Sequence, residues 1–390
     1  MGTQNGVLGK VAIVAEKVDE EVDEDNQYAK EKTKIVYDAP LTLLGRFHTA
    51  PITGIRELAN STQFITISED NTIAIWETTT QQQLSMTVLE DRPVSLSVNQ
   101  SGMAAFVGTE GGAFLVYDVS NRFKPRLVKQ TRFFEEYIPL DLMITSLNGE
   151  LILLSSTATD KVFVCSQKAD RNYTIFGFIQ MAGIIHSISF LLKDNALWVG
   201  GILSNNLLQV CKLPTDRCAN RMVPVPDSET HTTYRKVDPG TNRVMTSALT
   251  SRIFVTGEDK YLKQYDSWPV DTYENLDWRK PANQPNDEYI SHSIGTSCIH
   301  WSSAHKKMGT GGKDGLVIIR DPTNVRTLKE FQTHSVVGGG VSCLSLSEMF
   351  PGFFVAGVDG SIMVVSFDDA VYPAQQVMPQ STDELAHMQE

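Results

Sequence analysis

The sequence predicts an all-β fold made of one repeated unit, and two features of the chain support this. A short strand–turn–strand pattern recurs about every 40–55 residues along most of the 390-residue chain. Within each copy, apolar residues alternate with polar ones and do not recur at every third and fourth position, which favours strands over helices. The pattern is typical of a repeat protein built from antiparallel sheets.

The first copy spans residues 63–77 and reads QFITISEDNTIAIWE. An apolar strand leads into SEDN, whose residues favour a tight turn, and a second strand follows and ends in Trp76. A further alternating segment precedes the hairpin at residues 51–58, and His48 comes before that segment. One copy therefore supplies at least three strands.

Further copies follow along the chain. Their hairpins span residues 103–118, 149–166, 195–213, 252–266, 306–321 and 353–367. The alternating segments that precede them span residues 93–102, 139–149, 184–194, 243–251, 296–303 and 341–348. A single unit cannot bury its own faces, so the units must pack on one another. Seven such sheets close into a ring that protects their edges, and we expect a seven-bladed β-propeller over residues 34–370.

The two ends of the chain differ from the repeats. Residues 18–27 read VDEEVDEDNQ and hold six carboxylates, a block that repels itself and stays solvated. We expect residues 1–33 to form an acidic flexible N-terminal segment and residues 371–390 to form a C-terminal tail. Residues 41–46 are strand-like, and we expect them to complete the sheet of the last repeat, which lacks a clear fourth strand.

The first copy resembles the WD40 repeat, in which a histidine, three strands with an aspartate-containing turn and a closing Trp-Asp pair follow one another. This chain has Glu77 at the closing position. The resemblance implies a buried chain of polar groups formed by His48, Thr66, Asp70 and Trp76. A buried imidazole, hydroxyl, carboxylate and indole must each find a hydrogen-bond partner, and this spacing supplies them to one another.

The sixth copy keeps part of the same set. It retains His292, Thr310 and Asp314, whereas Arg320 stands where the family has its tryptophan. The resemblance therefore implies that the polar chain is incomplete in most copies, which rely on apolar packing.

Composition and charge narrow the classes of partner. Hydrophobic residues make up 41% of the chain and charged residues 21%, as in a globular protein, and the formal charge of −12 argues against nucleic acid as the main ligand. No apolar run reaches the roughly 18 residues that cross a membrane, and the first residues do not resemble a secretory signal, so we expect neither a transmembrane helix nor a signal peptide. The five cysteines form no CxxC pair. We expect a cytoplasmic protein without membrane association, whose cysteines are small buried hydrophobes.

No sequence motif for catalysis or metal binding stands out. GTGGKDG at residues 309–315 lacks the Ser or Thr and the helix that a phosphate loop needs. Neither HExxH nor GxSxG occurs. We expect no catalytic residue, metal, cofactor or small-molecule substrate, and we interpret Asp141, Asp160 and Asp194 as turn or capping groups.

Two classes of function fit such a ring: a non-catalytic scaffold for protein partners, and an enzyme that uses the central funnel. An enzyme would place carboxylates or histidines on the first strands of several blades. Those strands carry small hydroxyl side chains at Thr53, Ser95, Ser187, Ser189, Thr246 and Ser342. We therefore expect a protein–protein interaction scaffold within a multiprotein complex.

The identity of that complex rests on resemblance alone. Residues 104–121 read AAFVGTEGGAFLVYDVSN, residues 196–214 read ALWVGGILSNNLLQVCKLP, and residues 309–321 read GTGGKDGLVIIRD. These repeats resemble the propellers of large cilia- and flagella-associated WD-repeat proteins of the axoneme, which implies a cytoskeletal location in a cilium or flagellum. Adaptor subunits of ubiquitin ligases, trafficking coats and RNA-processing complexes are the alternatives.

Two connections, at residues 214–242 and 266–291, are longer than the repeat requires, and such loops often carry partner contacts. The second combines aromatic and basic residues that suit an interface. We expect partner contacts from Trp268, Tyr273, Trp278, Arg279 and Lys280. The alternative is that these side chains pack against their own blade.

Overall fold

The structure is a computed structural model that describes residues 7–17, 33–46, 48–132, 138–147, 150–166, 174–193, 196–213, 232–247, 249–250, 252–265 and 291–367. Strands β1 (Val7–Lys17) and β2 (Thr33–Arg46) pair antiparallel as a two-stranded sheet. The expectation that residues 41–46 join the sheet of the last repeat is wrong, because β2 is bonded to β1 in this separate sheet. A partner this close in sequence costs less loop-closure entropy than one at the far end of the chain.

The other described strands form antiparallel sheets whose strands follow one another in chain order. The first sheet has β3 (Ile52–Leu58), β4 (Gln63–Ser68), β5 (Thr72–Glu77) and β6 (Gln83–Val88). The second has β7 (Pro93–Val98), β8 (Ala104–Thr109), β9 (Ala113–Asp118) and β10 (Arg126–Arg132). The third has β11 (Pro139–Leu147), β12 (Glu150–Thr157), β13 (Lys161–Ser166) and β14 (Thr174–Gln180). The predicted hairpins coincide with the second and third strands of these sheets.

The remaining sheets continue the pattern. The fourth has β15 (Ile185–Lys193), β16 (Ala196–Leu203), β17 (Leu207–Leu213) and β18 (Thr233–Lys236). The fifth has β19 (Thr241–Ser247), β20 (Arg252–Gly257) and β21 (Lys263–Tyr265). The sixth has β22 (Thr296–Ser302), β23 (Lys307–Gly312), β24 (Leu316–Arg320) and β25 (Thr327–Gln332). The seventh has β26 (Val341–Leu346), β27 (Gly352–Gly357) and β28 (Ile362–Ser366).

The sheets stand in a ring around a central channel. The first strand of each sheet contacts the first strands of its two neighbours, in the order β3, β7, β11, β15, β19, β22, β26 and back to β3. We call these the inner strands. Each inner strand carries a register shift near its start, for example between Pro139 and Asp141 and between Thr241 and Arg243. The fold is an all-β propeller.

Side-chain contacts close the ring between the seventh and the first sheets. The rings of Phe64 and Phe354 lie 4.7 Å apart between centroids. The Glu57 carboxylate accepts a hydrogen bond from the Ser347 hydroxyl and another, of 2.7 Å, from the Glu348 N–H. The described strands therefore close the circle by packing between sheets and not by a strand shared between the two ends.

The core is distributed between the sheets. Buried apolar side chains of the first and second sheets, among them Ile65, Ile75, Val107 and Leu115, form one cluster. Comparable clusters lie at the other described interfaces. The second and third strands are covered on both faces, which explains why their sequences run to continuous apolar stretches.

Candidate functional site

The structure brings the predicted polar groups of the first sheet together. His48 Nε2 lies 2.7 Å from Thr66 Oγ1, and Trp76 Nε1 donates to the same hydroxyl over 2.8 Å. His48 Nδ1 lies 3.3 Å from Asp70 Oδ2 and 2.9 Å from Thr72 Oγ1. Thr72 belongs to the network, although the sequence pattern did not single it out.

The turn between β4 and β5 fixes the carboxylate of Asp70. Asn71 adopts a left-handed φ of 62° within the turn. Asp70 accepts the N–H of Thr72 over 3.1 Å and that of Thr49 over 2.8 Å. Burial disfavours the charged form, but the hydrogen bonds from His48, Thr72 and Thr49 outweigh it and hold the pKa of Asp70 below its ordinary value. The anionic side chain therefore ties this turn to the segment that leads into β3.

The sixth sheet repeats the arrangement. His292 Nδ1 lies 3.0 Å from Asp314 Oδ1, and its Nε2 lies 3.0 Å from Thr310 Oγ1. Burial lowers the pKa of His292 although the Asp314 carboxylate opposes it. The pKa of Asp314 also lies below its ordinary value, because the Ser293 N–H and His292 outweigh the effect of burial. This pair is a neutral imidazole beside a carboxylate.

Arg320 occupies the position at which the first sheet has Trp76. It is almost fully buried, and its Nη1 donates to Thr327 Oγ1 over 2.8 Å and to the Val325 carbonyl over 3.3 Å. The guanidinium thus bonds to β25 and to the turn before it.

These two networks are inside the protein. Thr66 and Thr310 are fully buried, and His48 and His292 nearly so. Their hydrogen bonds join each turn between the second and third strands to the segment before the inner strand. The arrangement therefore stabilises the sheet, and these groups have almost no contact with solvent.

Exposed apolar side chains cluster on the face of the ring where the inner strands begin, which we call the entrance face. Val337 is 99% exposed, Val336 49%, Ile294 43% and Val358 38%. Backbone hydrogen bonds link the loops that carry them, from Lys313 N to the Gly295 carbonyl and from Val358 N to the Gly340 carbonyl. We call Ile294, Val336, Val337 and Val358 the valine patch.

A rigid turn presents the two valines at the centre of the patch. Gly338 N and Gly340 N both donate to the Ser335 carbonyl, over 3.1 and 3.0 Å. Val337 N also donates to Ser335 Oγ over 3.2 Å. Gly340 has a φ of 73°, and a Cβ there would lie 2.3 Å from the Lys313 carbonyl oxygen. The turn therefore holds the side chains of Val336 and Val337 exposed to solvent.

Charged groups surround the valine patch. Lys313 Nζ donates to Glu258 Oε1 over 2.7 Å across the fifth and sixth sheets, and Asp359 accepts the N–H of Ser361 over 3.0 Å. An apolar centre with a polar rim is the usual anatomy of a protein interface.

The residues that the sequence predicted to bind a partner lie outside the described residues. They are Trp268, Tyr273, Trp278, Arg279 and Lys280. The chain returns from this connection at Ser291, whose N–H donates to the Lys260 carbonyl over 2.8 Å, and Ile294 of the valine patch follows three residues later. The predicted loop and the patch are therefore neighbours in sequence.

The central channel contains ionisable residues that the sequence argument missed. The inner strands do place Thr53, Ser95, Ser187 and Ser342 along it, but Arg56, Asp141, Arg243 and His300 line the same cavity. The interpretation of Asp141 as a turn or capping group is wrong, because it lies within β11, where its Oδ2 accepts the Ile188 N–H over 3.2 Å. Burial raises the pKa of Asp141, although Arg56 and Arg243 favour the anion.

The sequence feature that would have identified these residues is their position in the repeat. The first paired residue after the register shift occupies an equivalent position in every inner strand. Asp141, Arg243 and Cys298 occupy that position in three of the sheets. Aligning the repeats on this bulge, and not on the hairpin, would have brought these residues together.

Among the described residues, no group of three or more His, Cys, Asp or Glu side chains is placed to hold a metal ion. In the same part of the chain, no helix is long and apolar enough to cross a membrane. Cys165 and Cys343 are buried, and burial raises the pKa of each thiol to about 12, so neither is a reactive thiolate at neutral pH.

Comparison with known proteins agrees with the geometry. The β-propeller domain of Cps50 (Swd1) from Myceliophteria thermophila superposes with a TM-score of 0.60 over 82% of this chain and 98% of that domain, at 10% identity. No protein-family profile matches the chain.

Two curated sequences share a distant likeness with it. Cilia- and flagella-associated protein 43 of Xenopus laevis is 20% identical over 295 residues, and that of Mus musculus is 21% identical over 291 residues. These matches cover 70% and 71% of this chain but only 18% and 17% of the relatives, so the chain spans less than a fifth of their length. The chain is thus a β-propeller, and its predicted resemblance to WD40-type propellers and to cilia- and flagella-associated proteins is confirmed.

Proposed function

We propose that this chain is a non-catalytic scaffold that binds protein partners through the entrance face of its propeller. The observation that carries the proposal is the valine patch, where a hydrogen-bonded turn holds Val336 and Val337 exposed to solvent. Exposing apolar side chains is unfavourable, and a rigid turn removes the entropy that binding would otherwise cost. A patch of this kind fits a partner with an apolar surface.

We further propose that the partner belongs to a cytoskeletal assembly of the cilium or flagellum. The support is the likeness to proteins named cilia- and flagella-associated protein 43. The inner strands contact one another around a full circle, and we propose that each of the sheets they begin is one blade of a seven-bladed ring. Such a ring presents a wide, stiff face to an assembly.

The loop at residues 266–290 extends the proposed interface. It carries aromatic and arginine side chains, which contribute most of the binding energy in protein interfaces, and it rejoins the described structure beside Ile294. We therefore keep the prediction that Trp278 and Arg279 contact the same partner as the valine patch.

The experiment compares matched variants in ciliated cells. Tagged full chain, the double variant Val336→Asp/Val337→Asp and the control Val128→Asp are expressed, and detergent-extracted axonemes are isolated. Val128 is 56% exposed on β10 of the second sheet, towards the end of that sheet opposite the entrance face. We expect the wild type and the control to remain with the axoneme and to co-purify the same proteins. We expect the double variant to be released with an unchanged melting temperature.

Two results would reject the proposal. A wild-type chain that leaves with the detergent extract would reject the axonemal assignment. A double variant that keeps every partner of the wild type would reject the valine patch as the interface, and the pair Trp278→Ala/Arg279→Ala would then test the loop alone.

A further inference from the structure

The central channel has two continuous cavities of different character. A cavity of about 220 Å³ lies where the inner strands begin, and one of about 640 Å³ lies where they end. Both are lined by Arg56, Met143 and His300, so they meet at these residues. We call the narrow part the throat and the wide part the mouth.

The wall of the mouth is largely apolar. Its apolar lining includes Met143, Phe190, Met245, Ile299 and Trp301, and Ser97, Ser189, Thr246 and Ser345 contribute hydroxyl groups. At its rim, Leu192 is 46% exposed and Met349 53%. The mouth therefore has the size and the lining of a small-molecule site, which usually measures about 300–1,000 Å³ and is mostly apolar.

The carboxylates at the rim of the mouth are engaged by the backbone. Glu57 accepts the N–H of Glu348 over 2.7 Å. Glu348 in turn accepts the N–H groups of Ser303 and Ala304, over 2.9 and 2.7 Å. Both carboxylates are therefore hydrogen-bonded to backbone N–H groups of neighbouring turns.

The throat, in contrast, presents hydrogen-bond donors. Arg56 Nη1 donates to the Ile55 carbonyl over 2.8 Å, and Arg243 Nε donates to the Ser297 carbonyl over 2.8 Å. Each guanidinium has five N–H donors. Arg243 Nη1 also donates to the Asn242 carbonyl over 3.2 Å. Among the described residues, no carboxylate forms an ion pair with either arginine, and both side chains line the cavity.

His300 adds a further donor. Its Nδ1 accepts the Leu346 N–H over 3.1 Å, so the proton of the neutral ring is on Nε2. Burial and the Arg56 cation lower the pKa of His300 to about 3, which keeps the ring neutral. The only described carboxylate in the throat is Asp141, and His186 lies at its outer end. Two cations against one anion leave the throat with a formal charge of +1.

An apolar mouth that leads to a cationic throat is complementary to an apolar body with an anionic head. We propose that the channel binds an amphipathic monocarboxylate, of the fatty-acid class, with its carboxylate between Arg56 and Arg243 and its hydrocarbon chain in the mouth. From Arg56 to the end of β3 the wall is about 7 Å long, and Ala59 and Asn60 extend the lining beyond the strand. The inner half of a medium-length chain therefore lies between the strands and its outer half between the loops that follow them. A free small molecule suits an enclosed channel better than a folded partner, since the site lies inside the ring.

Calorimetric titration of the full chain tests the proposal with three matched ligands below their micelle concentrations: decanoate, 1-decanol and decylamine. We expect decanoate to bind tightest and decylamine to bind least. Arg56→Gln and Arg243→Gln should each weaken decanoate binding about tenfold and leave 1-decanol unchanged. Asp141→Asn should strengthen decanoate binding, because it removes the one anion and keeps an acceptor for Ile188 N–H.

Two variants of exposed residues, one at the rim of the mouth and one outside the channel, separate loss of binding from misfolding. Leu192→Glu alters an exposed side chain and should weaken decanoate binding, whereas Arg92→Gln, outside the channel, should not. Equal affinities for decanoate and 1-decanol, or unchanged binding to both arginine variants, would overturn the assignment. Binding of an apolar peptide through its free C-terminal carboxylate, without binding of decanoate, would also overturn it and identify a partner chain as the occupant.

Discussion

At the scale of single residues, the polar network of the first sheet accounts for the position of the tryptophan. Trp76 is buried, its ring stacks on Phe64 at 6.3 Å between centroids, and its N–H donates to Thr66. The Thr66 hydroxyl also bonds to His48, which Asp70 orients. The indole therefore contributes both packing and a satisfied buried donor.

Replacing Trp76 by Ala should lower the free energy of unfolding by about 3–5 kcal/mol, because it leaves a cavity beside Phe64 and deprives Thr66 of a donor. Trp76→Phe keeps most of the ring and should cost clearly less. Chemical denaturation measures both. A cost below about 1 kcal/mol for the alanine variant would show that the network is not part of the stable core.

The second residue-scale prediction concerns pH. The pKa of Asp314 in the folded chain lies below its ordinary value, so its contribution to stability is present above about pH 4 and is lost as the pH falls through the folded pKa. The pKa of His292 is also lowered, so its neutral form is favoured and stability decreases as the pH falls below the ordinary histidine value of 6.5.

Asp314→Asn should therefore be destabilising by about 1–2 kcal/mol at pH 7, and the difference from the wild type should shrink towards pH 3. Denaturation curves across this range measure it. A difference that stays constant with pH would mean that Asp314 is not held as an anion by His292 and the Ser293 N–H.

At the scale of elements, the hairpins were predictable from the sequence. The inner strands were predictable as strands, but the direction of their side chains was not. The alternation of residues 63–77, with turn residues at the centre, was enough to place β4 and β5. The direction of side chains on the inner strands depends on the bulge near each start, and a one-residue shift changes which side chain faces the channel. Ser95 and Ser187 hold the same position after the bulge as Asp141 and Arg243. The shared position of these residues is therefore visible only when the repeats are aligned on the bulge.

The tight turn between β23 and β24 gives the element-scale prediction. Gly315 has a φ of +78°, and a Cβ there would lie 1.9 Å from the His334 carbonyl oxygen. Gly315→Ala should lower the free energy of unfolding by about 1–3 kcal/mol or more, from strain and from the displaced segment. The control is Gly338→Ala, whose Cβ would meet Asp359 at an ordinary 3.5 Å. Thermal melts that rank the two variants equally would contradict this description of the turn.

At the scale of the whole molecule, closure of the ring is the point on which sequence and structure differ. The seventh and first sheets meet through Phe354 and Phe64 and through the hydrogen bonds to Glu57. Because β2 pairs with β1 and not with the seventh sheet, the described residues close the ring through these side-chain contacts. The alternation of residues 41–46 predicts a strand but does not show whether its partner is the nearby β1 or the distant last sheet.

Phe354→Ala should therefore lower the free energy of unfolding by about 3–5 kcal/mol. Removing residues 1–46 should change the melting temperature by less than about 1 °C, a shift that corresponds to under about 1 kcal/mol in a chain of this size. Calorimetry measures both. A large loss of stability in the truncated chain, with little in Phe354→Ala, would restore the shared-strand closure.

The central claim, that partners dock on the entrance face, is tested most directly by hydrogen–deuterium exchange. The chain is compared alone and in the complex that co-purifies from ciliated cells. The account predicts slower exchange in the bound state at residues 334–340, 291–295 and 357–360, with the outer strands β6 and β10 unchanged. Protection confined to the outer strands, with residues 334–340 exchanging as fast as in the free chain, would contradict it.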